Sequence, residues 1–102
     1  MDIRIKNDNH SAVVALSGRL DTVSAPVLES RIKDLIDDVE ELIFDFCDLD
    51  YISSSGLRIL LFTQKKMISK KMIVRNVRKE IMDIFEISGF AEILRIEQNW
   101  SE

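Results

Sequence analysis

Apolar and polar residues alternate from the start of the chain: Ile3-Arg4-Ile5-Lys6 has the period of a strand with one wet face. Asn7-Asp8-Asn9-His10 is a turn cluster. Ala12-Val-Val-Ala-Leu16 is a continuous apolar run of strand length, which places it inside a sheet and predicts an antiparallel hairpin with the first strand. After Gly18-Arg-Leu-Asp21 the period lengthens. Leu28, Ile32, Leu35, Ile36 and Val39 follow helical spacing, with Glu29, Arg31, Lys33 and Asp34 facing outward. Pro26 fits that helix only in its first turn, and Asp21, Thr22 and Ser24 are candidate caps. Leu42-Ile-Phe-Asp-Phe46 is dense enough in apolar residues to predict a third strand buried on both faces, followed by a loop holding Asp48, Asp50 and Ser53.

A second helix is predicted from about Ser54 to Ser69, with Leu57, Leu60, Leu61 and Ile68 on its stripe and Ile59 and Phe62 widening it. Met72-Ile-Val-Arg75 reads as a fourth strand. Ile81, Ile84, Phe85 and Ser88 mark a helix over 79–88, closed by Gly89 as a left-handed cap with Phe90 as its apolar contact. Ile93-Leu-Arg-Ile96 is expected to form a short last strand, and residues 98–102 a loose tail. Strands alternating with helices imply βαβ crossovers. The expected fold is α/β: a mostly parallel sheet entered by an N-terminal antiparallel hairpin, with helices packed against it. At 102 residues the chain suits a single domain, 1–102, with its core at about 2–97.

The net charge of −4 hides a pattern. Residues 1–50 hold twelve acids and five bases, residues 51–79 eight bases and no acid, and residues 80–102 six acids and one base. Lys65, Lys66, Lys70 and Lys71 read as a solvated helix end, where cations suit the dipole. They lack interleaved aromatics, so direct nucleic-acid binding is not expected. No apolar run approaches the ~20 residues of a membrane span, and the charged, alternating N-terminus is unlike a signal peptide, so the expected location is cytoplasmic. Cys47, the only cysteine, reads as a small buried apolar residue.

Most site chemistry is missing. With three glycines in the chain there is neither G-x-G-x-x-G nor G-x-x-x-x-G-K-[ST]. A nucleophile elbow would need glycine where Ile52 stands. The single histidine, His10, falls in a predicted surface turn, which leaves a serine hydrolase using Ser54 or Ser55 without a base. Asp45, Asp48 and Asp50 lack the second acidic pair of a Mg²⁺ site, so no metal and no cofactor are expected.

What remains is Ser53-Ser54-Ser55-Gly56 at the carboxyl end of a strand and the start of a helix, the sheet edge where ligands and partners meet open α/β folds. One serine, 53 or 54, suffices as N-cap. Gly56 inside a helix lowers stability by up to ~1 kcal/mol relative to alanine. Its compensation would be to leave the Ser55 hydroxyl approachable. Arg58, a cation in the first turn, opposes the dipole unless an anion comes near. Phosphorylation of Ser55 accounts for all three features, since the helix start tolerates the anion while a partner fitted to a neutral hydroxyl does not.

The segments Ala12-Val-Val-Ala-Leu-Ser-Gly-Arg-Leu-Asp21, Asp45-Phe-Cys-Asp-Leu-Asp50 and Tyr51-Ile-Ser-Ser-Ser-Gly-Leu-Arg-Ile-Leu60 resemble the STAS domain family, over roughly residues 2–97. Its small bacterial members are anti-sigma factor antagonists. The resemblance implies a binding module, not an enzyme. In its unphosphorylated form it would sequester an anti-sigma factor serine kinase, which holds the ATP, and so free a sigma factor. The kinase would phosphorylate Ser55, and a metal-dependent serine/threonine phosphatase would restore the active form. Asp21 and Thr22 would share the docking surface with Ser53, Ser54, Ser55, Gly56 and Arg58. Ser53 stands where switching antagonists usually carry aspartate, which implies altered kinase recognition. An alternative within the family is a non-phosphorylated subunit docking on a transporter ATPase.

Overall fold

The computed structural model describes residues 1–98, and the alternation of the first strand is visible in it directly. Strand β1 (Asp2–Asp8) packs Ile3 and Ile5 against the core and pairs antiparallel with β2 (Ser11–Leu20). The turn between them uses Asn9 in the left-handed region, φ 56°. Helix α1 (Ala25–Leu35) leads through a 3₁₀ turn (Ile36–Asp38) to β3 (Glu41–Ile52), then α2 (Ser54–Lys66), β4 (Lys71–Arg75), α3 (Lys79–Ser88), a single turn α4 (Phe90–Ile93), and β5 (Ile96–Glu97). The strands lie in the order β1-β2-β3-β4-β5, and every pair after the first is parallel. Right-handed crossovers between strands in sequence order place the helices on one face.

Burial alternates accordingly. Ala12, Val14 and Leu16, Leu42, Phe44 and Phe46, and Met72 and Val74 face the helices and are buried with Leu28, Ile32, Leu60, Ile81 and Phe85. The rings of Phe44, Phe46, Phe85 and Phe90 form a chain with centroid spacings of 5.9, 6.4 and 6.5 Å. The opposite face carries the row Val13, Ile43, Ile73, flanked by charged rows. Lys71 pairs with Glu41 at 3.2 Å and Arg75 with Asp45 at 3.5 Å. The third strand is therefore buried on one face and half-covered on the other, not buried on both. Cys47 lies on the half-covered side, where burial first, and then the neighbouring Asp45, push its thiol pKa up.

Several boundaries move. β3 does not end at Phe46: it runs on through Asp48 and Asp50, which were expected in a loop. Two register shifts against β2 explain this, because Ala15 faces Asp45 but Ser17 faces Asp48, and Gly18 faces Leu49 but Arg19 faces Tyr51. At each, β3 contributes one residue more than its partner, a bulge that breaks the period of two without breaking the strand. α1 stops at Leu35 and α2 at Lys66, so Ile68 is 78% exposed and not on the buried stripe. Ile93 belongs to α4, which leaves β5 only two residues long. Gly89 adopts the expected left-handed cap, φ 84°. The tail expectation lies outside the described residues except at Gln98. Its side chain is fixed, accepting from Val77 N–H at 2.8 Å and donating to Val77 C=O at 3.0 Å.

Candidate functional site

β2 and β3 are parallel neighbours, so the loops leaving their carboxyl ends lie side by side. The first holds Asp21, Thr22 and Ser24, the second Ser53. In the first loop the capping work falls to Asp21 more than to Ser24. The Asp21 carboxylate accepts from the N–H groups of Val23 and Ser24, both at 3.1 Å, and from the Ser24 hydroxyl at 3.1 Å. The Ser24 N–H, ahead of desolvation, which opposes it, and the Ser24 hydroxyl, holds the Asp21 pKa below its ordinary value. The single Ser24 hydroxyl proton is shared between that carboxylate and the Arg19 carbonyl, the latter nearer at 2.8 Å. This loop is braced by its own side chains.

The three serines have three different situations. Ser53 is the N-cap of α2, its hydroxyl accepting from Gly56 N–H at 3.3 Å while its own N–H reaches Leu20 C=O at 2.9 Å. Ser54 is exposed. Ser55 is half-buried, and its hydroxyl meets that of Thr22 at 3.4 Å. Among the described residues that weak hydrogen bond joins the two loops through side chains. Ser55 and Thr22 also line an open groove of about 380 Å³ between α1 and α2, with Ala25, Pro26, Glu29, Arg58, Ile59 and Phe62. The Ser55 hydroxyl is thus reachable from outside.

Two readings of this segment need correction. Gly56 does not open the approach to Ser55; it is buried and faces inward. A β carbon there would stand 2.7 Å from Ile52 Cγ1 and 2.8 Å from Leu20 Cγ, so glycine lets α2 close onto the ends of β2 and β3. Arg58 is not in the first turn: with Ser53 as cap it is the fifth helical residue, beyond most of the dipole's reach.

The α1 side of the groove is not legible in the period of either helix. That side is lined by Ala25, Pro26 and Glu29, while Val23, next to Thr22, is 84% exposed and Val27, 56% exposed, lies outside the lining. The basic segment 51–79 is also less free than its composition suggests. Lys70 donates to the carbonyls of Ile36 and Val39 at 3.2 and 2.8 Å, fixing the end of the 3₁₀ turn, and is not part of a solvated helix end.

A family profile for the STAS domain matches residues 2–102. The chain belongs to the STAS domain family. Among its relatives is BtrV of Bordetella bronchiseptica, named provisionally as an anti-sigma factor antagonist, 30% identical over 87 residues that cover 82% of this chain and 75% of BtrV. The anti-sigma-B factor antagonist of Bacillus subtilis is 26% identical over 99 residues, 94% of this chain and 90% of the relative. The anti-sigma factor antagonist SpoIIAA, at 19% identity, shares the fold in both its solved forms. The unphosphorylated form gives a TM-score of 0.86 over 98% of this chain and 90% of SpoIIAA, and the phosphorylated Bacillus form 0.79 over 98% and 93%.

Within this STAS domain the remaining candidate groups are dispersed. His10 sits in the turn that starts β2, whereas Ser55 follows the far end of β3, a strand length away. Asp45 pairs with Arg75, and Asp50 with Arg78 at 2.9 Å. Among the described residues no three His, Cys, Asp or Glu side chains are grouped to hold a metal ion, and no helix is long and apolar enough to cross a membrane.

Proposed function

We propose that this STAS domain is an anti-sigma factor antagonist that binds an anti-sigma factor serine kinase through the face around Ser55 and is switched by phosphorylation there. The observation that carries this reading is the Ser55 hydroxyl: reachable in an open groove, at the first turn of α2, beside Thr22 of the neighbouring loop. Docking would use Asp21 and Thr22 on one side and Ser53, Ser54, Ser55 and Arg58 on the other, with Pro26 in the groove and the exposed Val23 beside Thr22 as apolar contacts. Gly56 contributes by letting the helix start sit close to the sheet. The names of the relatives support the choice of partner class.

In the modification step the Ser55 hydroxyl oxygen would attack the γ-phosphorus of ATP held by the kinase. The bond to ADP breaks, and the hydroxyl proton passes to a base on the kinase. A metal-dependent serine/threonine phosphatase would hydrolyse the phosphoserine. The added group carries about −1.5 to −2 charges into a surface fitted to a neutral hydroxyl. Burying that charge against a partner with no group to receive it weakens binding by several kcal/mol, enough to release the kinase.

Incubation with ATP, Mg²⁺ and a candidate anti-sigma kinase, followed by mass spectrometry, tests the reading. Phosphate should appear on Ser55 and be absent in Ser55→Ala, and Ser55→Asp should bind the kinase more weakly. Equal binding by Ser55→Asp and the unaltered chain would remove the switch. Stable copurification with a transporter ATPase, without phosphate, would favour the non-phosphorylated subunit instead.

A further inference from the structure

Of the eight bases between residues 51 and 79, five have acidic partners in the fold: Lys70 with Glu40, Lys71 with Glu41, Arg75 with Asp45, Arg78 with Asp50 and Lys79 with Asp83. The other three, Arg58, Lys65 and Lys66, are the only charged residues of α2, and none has an acidic partner among the described residues. Lys65 and Lys66 are accounted for by position, since they occupy the last turn, where the helix favours cations. Lys66 also stands 5.8 Å from the Phe62 ring centre. Arg58 has neither explanation. It is exposed and mid-helix, among the described residues it stacks on no ring, and it lines the groove that holds the Ser55 hydroxyl.

Residues three apart on a helix share a face, with β carbons about 5–6 Å apart, and an anion N-terminal to its cation is the favourable order. We propose that Arg58 captures the phosphate of phosphoserine 55 within the same chain. The planar guanidinium fork matches two phosphate oxygens at once, which neither a lysine nor a water shell reproduces. The proposal rests on the phosphorylation reading above and gives it a second half. In the unmodified chain Arg58 is a free cation on the docking face; in the modified chain it is taken up by the phosphate, so the face loses a cation as well as gaining an anion. It also explains how the domain tolerates the charge.

The other charged groups that face this position do not compete strongly. Glu29 on α1 lines the groove, but its ion pair is with Lys33, at 3.8 Å, and not with Arg58. The Asp21 carboxylate in the β2–α1 loop is occupied by the N–H groups of Val23 and Ser24 and by the Ser24 hydroxyl. An aspartate at position 55 carries less charge and holds its oxygens one bond nearer the backbone, so Ser55→Asp should engage Arg58 poorly.

The test installs phosphoserine at position 55 during translation, so that no kinase is needed, in the full chain and in Arg58→Gln, Arg58→Lys and Lys65→Gln. Phosphorus NMR then follows the second phosphate ionisation, ordinarily near pKa ~6. With Arg58 present it should fall by roughly half a unit relative to Arg58→Gln, and the phosphorylated chain should melt roughly 2–5 °C higher than its unmodified form. Both effects should vanish in Arg58→Gln, be reduced in Arg58→Lys and persist in Lys65→Gln. Equal pKa and melting behaviour with and without Arg58 would overturn the pair, as would a lowered pKa that survives Arg58→Gln and therefore comes from the helix end alone. If the pair forms but no anti-sigma kinase modifies Ser55, the preceding reading fails and this one stands; phosphate transfer without the pair gives the reverse.

Discussion

The hydroxyls of Thr22 and Ser55 face each other at 3.4 Å across the seam between two parallel strand ends. Thr22 is exposed on a loop braced by Asp21 and Ser24, whereas Ser55 rides on the first turn of α2. Two independently built elements thus present one polar spot at the mouth of an open groove. A contact this long adds little to folding, and its position matters more than its strength.

Replacing Thr22 separates those roles. Thr22→Val keeps the branched shape and removes the hydroxyl, so urea unfolding should shift by less than ~0.5 kcal/mol. Thr22→Glu should fold equally well yet weaken binding to the anti-sigma kinase by roughly tenfold or more in calorimetry, because it puts an anion where the proposed phosphate acts. A large stability loss in Thr22→Val would mean that the contact is structural after all.

Gly56 is a packing residue, which reverses the usual effect of adding a methyl group to a helix. Alanine improves helix propensity by up to ~1 kcal/mol, but its β carbon meets Ile52 and Leu20 at 2.7 and 2.8 Å. Overpacking of this kind typically destabilises by ~1–3 kcal/mol, so Gly56→Ala should be less stable at an unchanged denaturant slope. Combining it with Leu20→Ala should give less loss than the two single changes added together, since the second makes room for the first. A Gly56→Ala chain as stable as the original would contradict the close packing.

Periodicity makes the order of elements and the position of the serine-bearing helix start legible in the sequence. It fails where tertiary contacts override the local pattern. The stretch Asp48 to Tyr51 looks like a loop because two bulges change which face each residue takes, although the strand continues. Gly56 and its neighbours in sequence say nothing of Leu20, whose side chain, with that of Ile52, forbids a β carbon. Glu29 and Phe62 lie on different helices, and the angle at which α1 meets α2 is written in neither one's own period. The basic run from 51 to 79 looked free because most of its acidic partners lie in other segments.

Asp21 links the loop to pH. Its folded-state pKa lies below the ordinary value of 3.8 because backbone and hydroxyl donors favour the carboxylate. A depressed carboxyl pKa adds stability above the unfolded value and loses it as pH falls through the folded one. Asp21→Asn should therefore be less stable than the original chain near pH 7, with the difference shrinking below about pH 4. Urea denaturation of both chains at several pH values measures this. A difference that stays constant down to pH 2.5 would show that the hydrogen bonds act without regard to charge.

Gln98 extends a sheet that has run out of strand. The β4–β5 ladder is flanked by two backbone bonds, Val74 N–H to Arg95 C=O at 2.9 Å and Asn76 N–H to Glu97 C=O at 3.1 Å. The next rung is made by the Gln98 side-chain amide, which bonds both N–H and C=O of buried Val77. Gln98→Ala leaves two backbone groups without that partner and should lower stability by about 1–2 kcal/mol. Gln98→Glu retains an acceptor for the Val77 N–H but turns the donor into a second acceptor against the Val77 carbonyl, so it should be destabilised comparably. Hydrogen exchange tells the two apart: the Val77 amide should exchange faster in Gln98→Ala and remain protected in Gln98→Glu. Fast exchange in both would mean that the side chain merely rests near Val77 and that the ladder ends at Glu97.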